Sequence, residues 1–137
     1  MKTIEQLAQE PASALLAAAD KRILVLDGAM GTMIQRLGLT EEDFHPKGME
    51  DHKILLKGNN ELLSLSRPDA IRTIHEQYLE TGADIVETNT FSATSIAQAE
   101  HECSHLAREI NLASARLARE ACAKYTAMDP SKPRFVA

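Results

Sequence analysis

The sequence predicts an α/β protein that corresponds to the first part of a (β/α)8 barrel, or TIM barrel. Short apolar runs alternate with longer amphipathic segments, in the order strand, helix, strand, helix, strand. This alternation predicts parallel strands with right-handed helical crossovers, and a doubly wound sheet fits it too. A barrel needs about 250 residues, so this chain would supply two βα units and the start of a third strand. Because a complete doubly wound domain would rarely end inside an apolar strand, we expect the incomplete barrel.

The N-terminal part of the chain is predicted to hold a helical extension and the first strand. Residues 1–20 form the extension, in which Thr3 and Gln6 have the spacing of a capping box and Pro11 interrupts the helix. Residues 22–27, RILVLD, read as a strand of the fully buried kind, because their apolar run is continuous rather than alternating.

A short helix and a long irregular segment are predicted to follow the first strand. The helix runs through Ile34 to Leu37 and stops at Gly38. Residues 39–65 contain Pro46 and the KGNN stretch as breakers, which predicts an excursion without regular structure.

The remaining elements complete the alternation. Residues 66–69, SRPD, indicate a helix start with a serine cap and proline in the first turn, and Gly82 ends that helix. Residues 84–90 predict the second strand. A third helix carries apolar residues at helical spacing between Leu106 and Leu117, and the final RFVA begins a third strand.

Composition excludes several classes of function. The formal net charge is −5, and no basic run or face suits a nucleic acid or an anionic membrane. The chain lacks a signal peptide and any apolar span of about 18 residues, so a cytoplasmic location is expected. Cys103 and Cys122 are therefore expected to be reduced.

Acidic residues follow both predicted strands at the ends where parallel α/β folds place their active sites. Side chains alternate along a strand, so Glu87 and Asn89 share a face. A carboxylate packed against the helices would be buried without water, at a cost of several kcal/mol. We therefore expect Asp27 and Glu87 to point toward the barrel mouth, where two acids could hold an ammonium group.

The glycine turn after Asp27 supplies a complementary feature. If a helix starts at about Ala29, the free backbone amides of Gly28, Ala29 and Met30 lie at a positive dipole end that suits a carboxylate. Amides beside acids suit a zwitterion, such as an amino acid held at both ends. The alternative is that Asp27 is only a helix cap and Gly28 only a turn residue, and the sequence physics leaves both open.

Three segments carry a resemblance to a known family. ILVLDGAMGTMIQ, LKGNNELLSLSRPDAI and TGADIVETNTFSATSIAQAE closely resemble, in order and spacing, the start of the homocysteine S-methyltransferase domain of cobalamin-dependent methionine synthases. The match begins at about Lys21, so residues 21–137 are expected to be the N-terminal portion of this homocysteine-binding barrel domain. The KGNN segment is more similar to the cobalamin enzymes than to their betaine-dependent relatives.

The resemblance implies a function for these residues. In that family the barrel binds homocysteine, and a zinc ion held by three cysteine thiolates keeps the substrate sulfur as the nucleophilic thiolate. The methyl group comes from methylcobalamin, which methyltetrahydrofolate remethylates, so folate, cobalamin and activation domains of the same enzyme are the implied partners. By position, Asp27 would bind the homocysteine amino group and the amides after it the carboxylate. The segment from Glu87 to Thr90 would line the pocket.

The zinc ligands of that family lie on late barrel strands, beyond residue 137, so no metal ligand is expected here. Cys103 and Cys122 are predicted on one helix about five turns, or nearly 30 Å, apart. We therefore interpret them as structural or incidental. His75 is expected to be a satisfied core histidine on the apolar stripe of its helix, whereas His45 and His52 are expected to be solvated.

Two alternative functions remain open. Residues 101–105, HECSH, fit the zinc-peptidase signature H-E-x-x-H, whose spacing would put both histidines on one helical face. No third ligand from a separate element accompanies them, which makes a metallopeptidase the minor alternative. The main alternative is a non-catalytic, truncated half-barrel without a zinc site, which would expose strand edges.

Overall fold

Helices dominate the structure, a computed structural model that describes the backbone of residues 4–137 and the side chains of residues 12–137. The protein is mostly helical, with a small open sheet. The helices are α1 (Ile4–Ala19), α2 (Met30–Arg36), α3 (Leu63–Ser66), α4 (Pro68–Glu80), α5 (Ser95–Gln98) and α6 (Ala107–Met128), and the strands are β1 (Ile85–Val86) and β2 (Phe135–Val136).

The sheet is parallel, as the sequence predicts. Strand β1 pairs with β2, with Ile85 opposite Phe135. On its other side, Leu26 forms a parallel bridge with Ile85, and the Asp27 N–H donates to the Ile85 carbonyl at 2.9 Å. The three segments therefore lie side by side in chain order, with helices as crossovers.

The predicted strands are longer and more buried than the observed ones. The observed strand covers only two residues of the predicted strand 84–90. On the side of the first segment, the next N–H, that of Glu87, donates to the Asp27 side chain instead of a ladder carbonyl. Ile23 is 89% exposed and Val25 54% exposed. A strand of a parallel sheet is buried only where both faces are covered, and no element in the described part of the chain covers Ile23.

Helix α1 continues through Pro11, so the prediction of an interruption there is wrong. The Ala- and Leu-rich residues 12–19 have high helix propensity and continue the helix beyond the proline. Thr3 lies outside the described residues, and the capping box with Gln6 stays a prediction.

Helix α4 confirms the predicted apolar stripe and its end but not its cap. Pro68 occupies the first helical position and Arg67 the N-cap. The Ser66 hydroxyl donates to the Leu62 carbonyl at 3.3 Å, and among the described residues no side-chain hydrogen bond caps α4. Gly82 has a φ of +110°, a left-handed conformation that suits glycine and ends the helix. Helix α4 packs along α6, with the core between them.

The segment predicted as an irregular excursion contributes much of the core. Short 3-10 turns and α3 interrupt it, and its glycines at positive φ redirect the chain so that apolar residues point inward. Its buried apolar side chains are Phe44, Leu56, Leu62 and Leu63.

The two histidines of this segment are half-buried and hydrogen-bonded, whereas the prediction had them solvated. The His45 ring contacts the Glu41 carboxylate at 2.9 Å and the Met49 carbonyl at 2.8 Å. The Glu41 hydrogen bond raises the pKa of His45. His52 contacts the His101 carbonyl at 2.9 Å. Both rings therefore tie loop segments together.

Candidate functional site

An open pocket of about 490 Å³ lies where the first parallel segment and β1 end. All seven residues that the sequence analysis selected line it: Asp27, Gly28, Ala29, Met30, Glu87, Asn89 and Thr90. This is the edge of the sheet at which parallel α/β proteins bind ligands.

Asp27 links the first parallel segment to the end of β1. Its two carboxylate oxygens accept the Glu87 backbone N–H at 3.1 and 3.2 Å. Burial raises the pKa of Asp27 to about 6, the Glu87 N–H opposes this shift, and the negative charge of Glu87 adds to it. Asp27 is not a helix cap, because the N-cap of α2 is Ala29 and no side chain caps that helix.

The turn after Asp27 packs closely on α4. The Tyr78 hydroxyl donates to the Ala29 carbonyl at 3.3 Å. A Cβ at position 28 would lie 3.3 Å from that hydroxyl oxygen, so glycine permits the close approach. Within the described residues, no acceptor faces the N–H groups of Gly28, Ala29 and Met30. These three donors remain available to a ligand in the pocket.

The residues after β1 divide into a solvent-facing and an inward-facing set. Glu87 is exposed at the pocket, as predicted. Asn89 is buried, and its amide nitrogen donates to the Asn60 carbonyl at 2.8 Å and the Ser64 hydroxyl at 3.3 Å. The prediction that Asn89 shares the open face of Glu87 is wrong for its amide group, because regular strand alternation ends at Val86.

Hydroxyl groups complete this wall of the pocket. The Thr88 and Thr90 hydroxyl oxygens lie 2.8 Å apart, and the Thr88 N–H donates to the Ala137 carbonyl at 2.9 Å. Four further lining residues were not expected from the sequence: Gly31, Asn60, Glu61 and Phe91. Asn60 and Glu61 come from the supposed excursion, and no periodic pattern pairs them with β1. The apolar Phe91 directly after a polar strand end was the one available signal.

The charges around the pocket have one sign. Asp27, Glu61 and Glu87 line it, and none of its lining residues is lysine, arginine or histidine. Asp27 and the exposed Glu87 favour a ligand that carries a positive group close to Asp27, whereas the buried Glu61 carboxylate accepts the Ser92 N–H.

The zinc ion implied by the resemblance does not fit the described residues. These contain no group of three histidine, cysteine, aspartate or glutamate side chains placed to hold a metal ion. The Cys103 thiol donates to the His101 carbonyl at 3.2 Å, and the Cys122 thiol to the Phe135 carbonyl at 3.3 Å. Both are buried away from the pocket, and burial raises the pKa of Cys122 to about 11. Cys103 precedes α6, so its predicted place on that helix is wrong.

The HECSH segment does not form the helix of a zinc peptidase. His101 ends one 3-10 turn and His105 belongs to the next. Between them, Glu102 has a φ of +54°, which interrupts helical geometry. The expectation that both histidines share one helical face is therefore wrong.

Comparison with known proteins decides the family. A family model for homocysteine S-methyltransferases matches residues 24–137. The chain belongs to the homocysteine S-methyltransferase family. The match includes every residue that lines the pocket.

Two solved structures of one family member are similar to this chain. The oxidized form of the homocysteine methyltransferase MmuM from Escherichia coli is 28% identical with a TM-score of 0.66, covering 93% of this chain and 39% of that chain. The metallated form is 27% identical with a TM-score of 0.66, covering 93% of this chain and 40% of that chain. The protein therefore matches a fragment of the homocysteine methyltransferase fold and spans about two fifths of those chains. In the described residues, no helix is both long and apolar enough to cross a membrane.

Proposed function

We propose that this chain is the homocysteine-binding part of a methionine synthase, in which the methyl group of methylcobalamin passes to the sulfur of homocysteine. The observation that carries the proposal is the half-buried Asp27 carboxylate at the pocket, followed by three backbone N–H groups without acceptors. Within a homocysteine S-methyltransferase sequence, this arrangement suits the two charged ends of an amino acid.

In this proposal the Asp27 carboxylate binds the homocysteine ammonium group. With a pKa of about 6, Asp27 is mostly ionised at neutral pH, and a bound ammonium group would favour its ionised form further. The N–H groups of Gly28, Ala29 and Met30 bind the homocysteine carboxylate. Glu87, Asn89 and Thr90 line the remaining wall.

The three parallel segments would be the first three strands of a (β/α)8 barrel. Residues 1–20 would then be a helical extension and residues 21–137 the start of the barrel domain. The exposed side chains of Ile23 and Val25 support this assignment, because the interior of a barrel is filled by such residues. Further strands would cover them.

The cobalamin assignment is supported by the KGNN segment, residues 57–60, which is similar to the cobalamin-dependent enzymes. Zinc would activate the homocysteine sulfur, and the proposal assigns none of its ligands to the described residues. Folate, cobalamin and activation domains of the same enzyme would be the partners, and the location would be cytoplasmic.

The test is a methyl-donor assay on the full-length enzyme in which this sequence occurs, because the proposal assigns no zinc ligand to the described residues and expects the 137-residue chain alone to be inactive. We expect methionine from homocysteine and methylcobalamin, and loss of most of this activity in Asp27→Asn. Asp51→Asn, at an exposed site away from the pocket, is the control and should keep full activity. Methionine formed only from betaine would contradict the cobalamin assignment. Absence of turnover with both donors would favour the non-catalytic half-barrel.

A further inference from the structure

The Ser92 peptide, directly after the pocket wall, is held from both sides by buried side chains. The Glu61 carboxylate accepts the Ser92 N–H at 2.9 Å. The Gln98 amide nitrogen donates to the Ser92 carbonyl at 3.0 Å. Glu61 is 7% exposed and Gln98 1% exposed, so water competes little for either contact.

Gln98 is itself fixed by a second amide. The Asn59 amide nitrogen donates to the Gln98 oxygen at 2.7 Å, and the Gln98 nitrogen donates to the Asn59 oxygen at 3.0 Å. This reciprocal pair leaves the Gln98 amide one orientation, so its contact with Ser92 is preorganised. On the other side of the same peptide, the Glu61 carboxylate accepts the Ser92 N–H.

The held turn determines the position of two pocket residues. Thr90 and Phe91 line the pocket immediately before Ser92. The Phe91 side chain is 99% exposed, so packing does not set its position and the backbone must. The Asn111 amide donates to the Ala93 carbonyl at 2.7 Å, which fixes the far end of the turn.

We propose that Glu61 is a positioning residue for homocysteine binding, acting as the acceptor that holds the Ser92 N–H and thereby the Thr90–Phe91 wall. The inference rests on the proposed function, because it assumes that homocysteine occupies this pocket. Glu61 must be long enough to place an acceptor oxygen next to the Ser92 N–H. The negative charge of that oxygen is less important than its position. A shorter side chain would release the Ser92 N–H, whereas an amide of the same length would retain the hydrogen bond.

The experiment uses two complementary variants of the protein that carries this sequence. Glu61→Asp keeps the charge and shortens the reach, and Glu61→Gln keeps the reach and removes the charge. Glu109→Ala, at an exposed site on α6, is the control. The measurements are the Kd for homocysteine by titration calorimetry and amide hydrogen exchange over residues 90–93.

We expect Glu61→Asp to weaken homocysteine binding by about tenfold and to speed exchange at Ser92, because a buried hydrogen bond is lost. Glu61→Gln should bind homocysteine more tightly than Glu61→Asp and protect Ser92 better, because its amide oxygen still accepts the Ser92 N–H, as a weaker acceptor than the carboxylate. The reverse pattern, with Glu61→Gln weak and Glu61→Asp normal, would overturn the inference by showing that the charge contacts the ligand. Equal binding by all variants would also overturn it. Failure of the unsubstituted protein to bind homocysteine would instead overturn the proposed function.

Discussion

The Asp27 carboxylate holds the Glu87 N–H through both of its oxygens, at 3.1 and 3.2 Å. A side chain on one parallel segment thus takes the hydrogen bond that the neighbouring strand would otherwise give to a ladder carbonyl. The contact ends the pairing between the first parallel segment and β1, whereas pairing with the last segment continues from the Thr88 N–H to the Ala137 carbonyl. The same interaction keeps the proposed ammonium-binding carboxylate at the pocket.

Asp27→Asn should weaken homocysteine binding by at least about tenfold, because the variant loses a charge-assisted contact but keeps an acceptor for the Glu87 N–H. Folding should not suffer. Burial raises the pKa of Asp27, so the folded state favours an uncharged side chain, and the melting temperature at pH 7 should be equal or higher. Calorimetric titration, thermal melting and zinc analysis of the full-length enzyme in which this sequence occurs check this. Zinc content should be unchanged, and a loss of zinc would point to a structural role.

Homocysteine affinity should decrease as the pH falls below about 6. Asp27, with a pKa of about 6, becomes protonated there and loses its attraction for an ammonium group. At pH 5 the expected loss is about tenfold, since the α-amino and carboxyl groups of an amino acid do not titrate in this window. The Kd would be measured from pH 5 to 8. In Asp27→Asn the step near pH 6 should be absent, and the same step in both proteins would contradict the assignment.

Asp84→Ala should lower the free energy of unfolding by about 2–4 kcal/mol. The Asp84 side chain is 1% exposed, pairs with Arg22 at 2.6 Å and accepts the Val25 N–H at 2.9 Å. Arg22 in particular holds the pKa of Asp84 below its usual value. The difference in the free energy of unfolding between the variant and the unsubstituted protein should therefore have its full value above about pH 4. It should shrink as the pH falls through the pKa of Asp84 in the folded state.

Urea unfolding at pH 7 and at pH 3 measures this difference. Asp51→Ala, at an exposed site, is the matched control and should change stability by less than about 0.5 kcal/mol. Equal destabilisation by both variants would show that the Arg22–Asp84 contact does not secure the first parallel segment.

His75→Leu should remove an acid-sensitive part of the stability. His75 is fully buried in α4, and neither ring nitrogen has a hydrogen-bond partner among the described residues, so the expectation of a satisfied histidine is wrong. Burial lowers the pKa of His75 to about 4, below its usual 6.5. The unfolded state therefore binds the proton first, and stability falls as the pH drops from about 6.5 toward 4.

At pH 5 the free energy of unfolding of the unsubstituted protein should be lower than at pH 7 by on the order of 1–2 kcal/mol because of His75. In His75→Leu, urea unfolding should show a correspondingly smaller loss of stability between pH 7 and pH 5. His105→Leu, at an exposed position, should retain it. An unchanged pH dependence in His75→Leu would show that another group is responsible.

The sequence predicted the parallel alternation and the location of the pocket because both depend on local signals. The polar ends at Asp27 and Glu87 follow apolar runs directly, and Gly82 ends α4 by a backbone conformation that glycine favours. The contributions of Asn60 and Glu61 were missed because they depend on contacts distant in sequence. Burial of Ile23 was overestimated, because an apolar run indicates a strand suited to burial and says nothing of what covers it.

The central claim is that Asp27 recognises the ammonium group of homocysteine. The most direct test compares homocysteine with 4-sulfanylbutanoate, which lacks only the amino group, by calorimetric titration of the unsubstituted protein and of Asp27→Asn. We expect the unsubstituted protein to prefer homocysteine by at least about tenfold. Asp27→Asn should show almost no preference, because removal of the ligand's amino group costs little binding energy once the Asp27 charge is gone. An equal preference for homocysteine in both proteins would contradict the claim and place the ammonium site elsewhere.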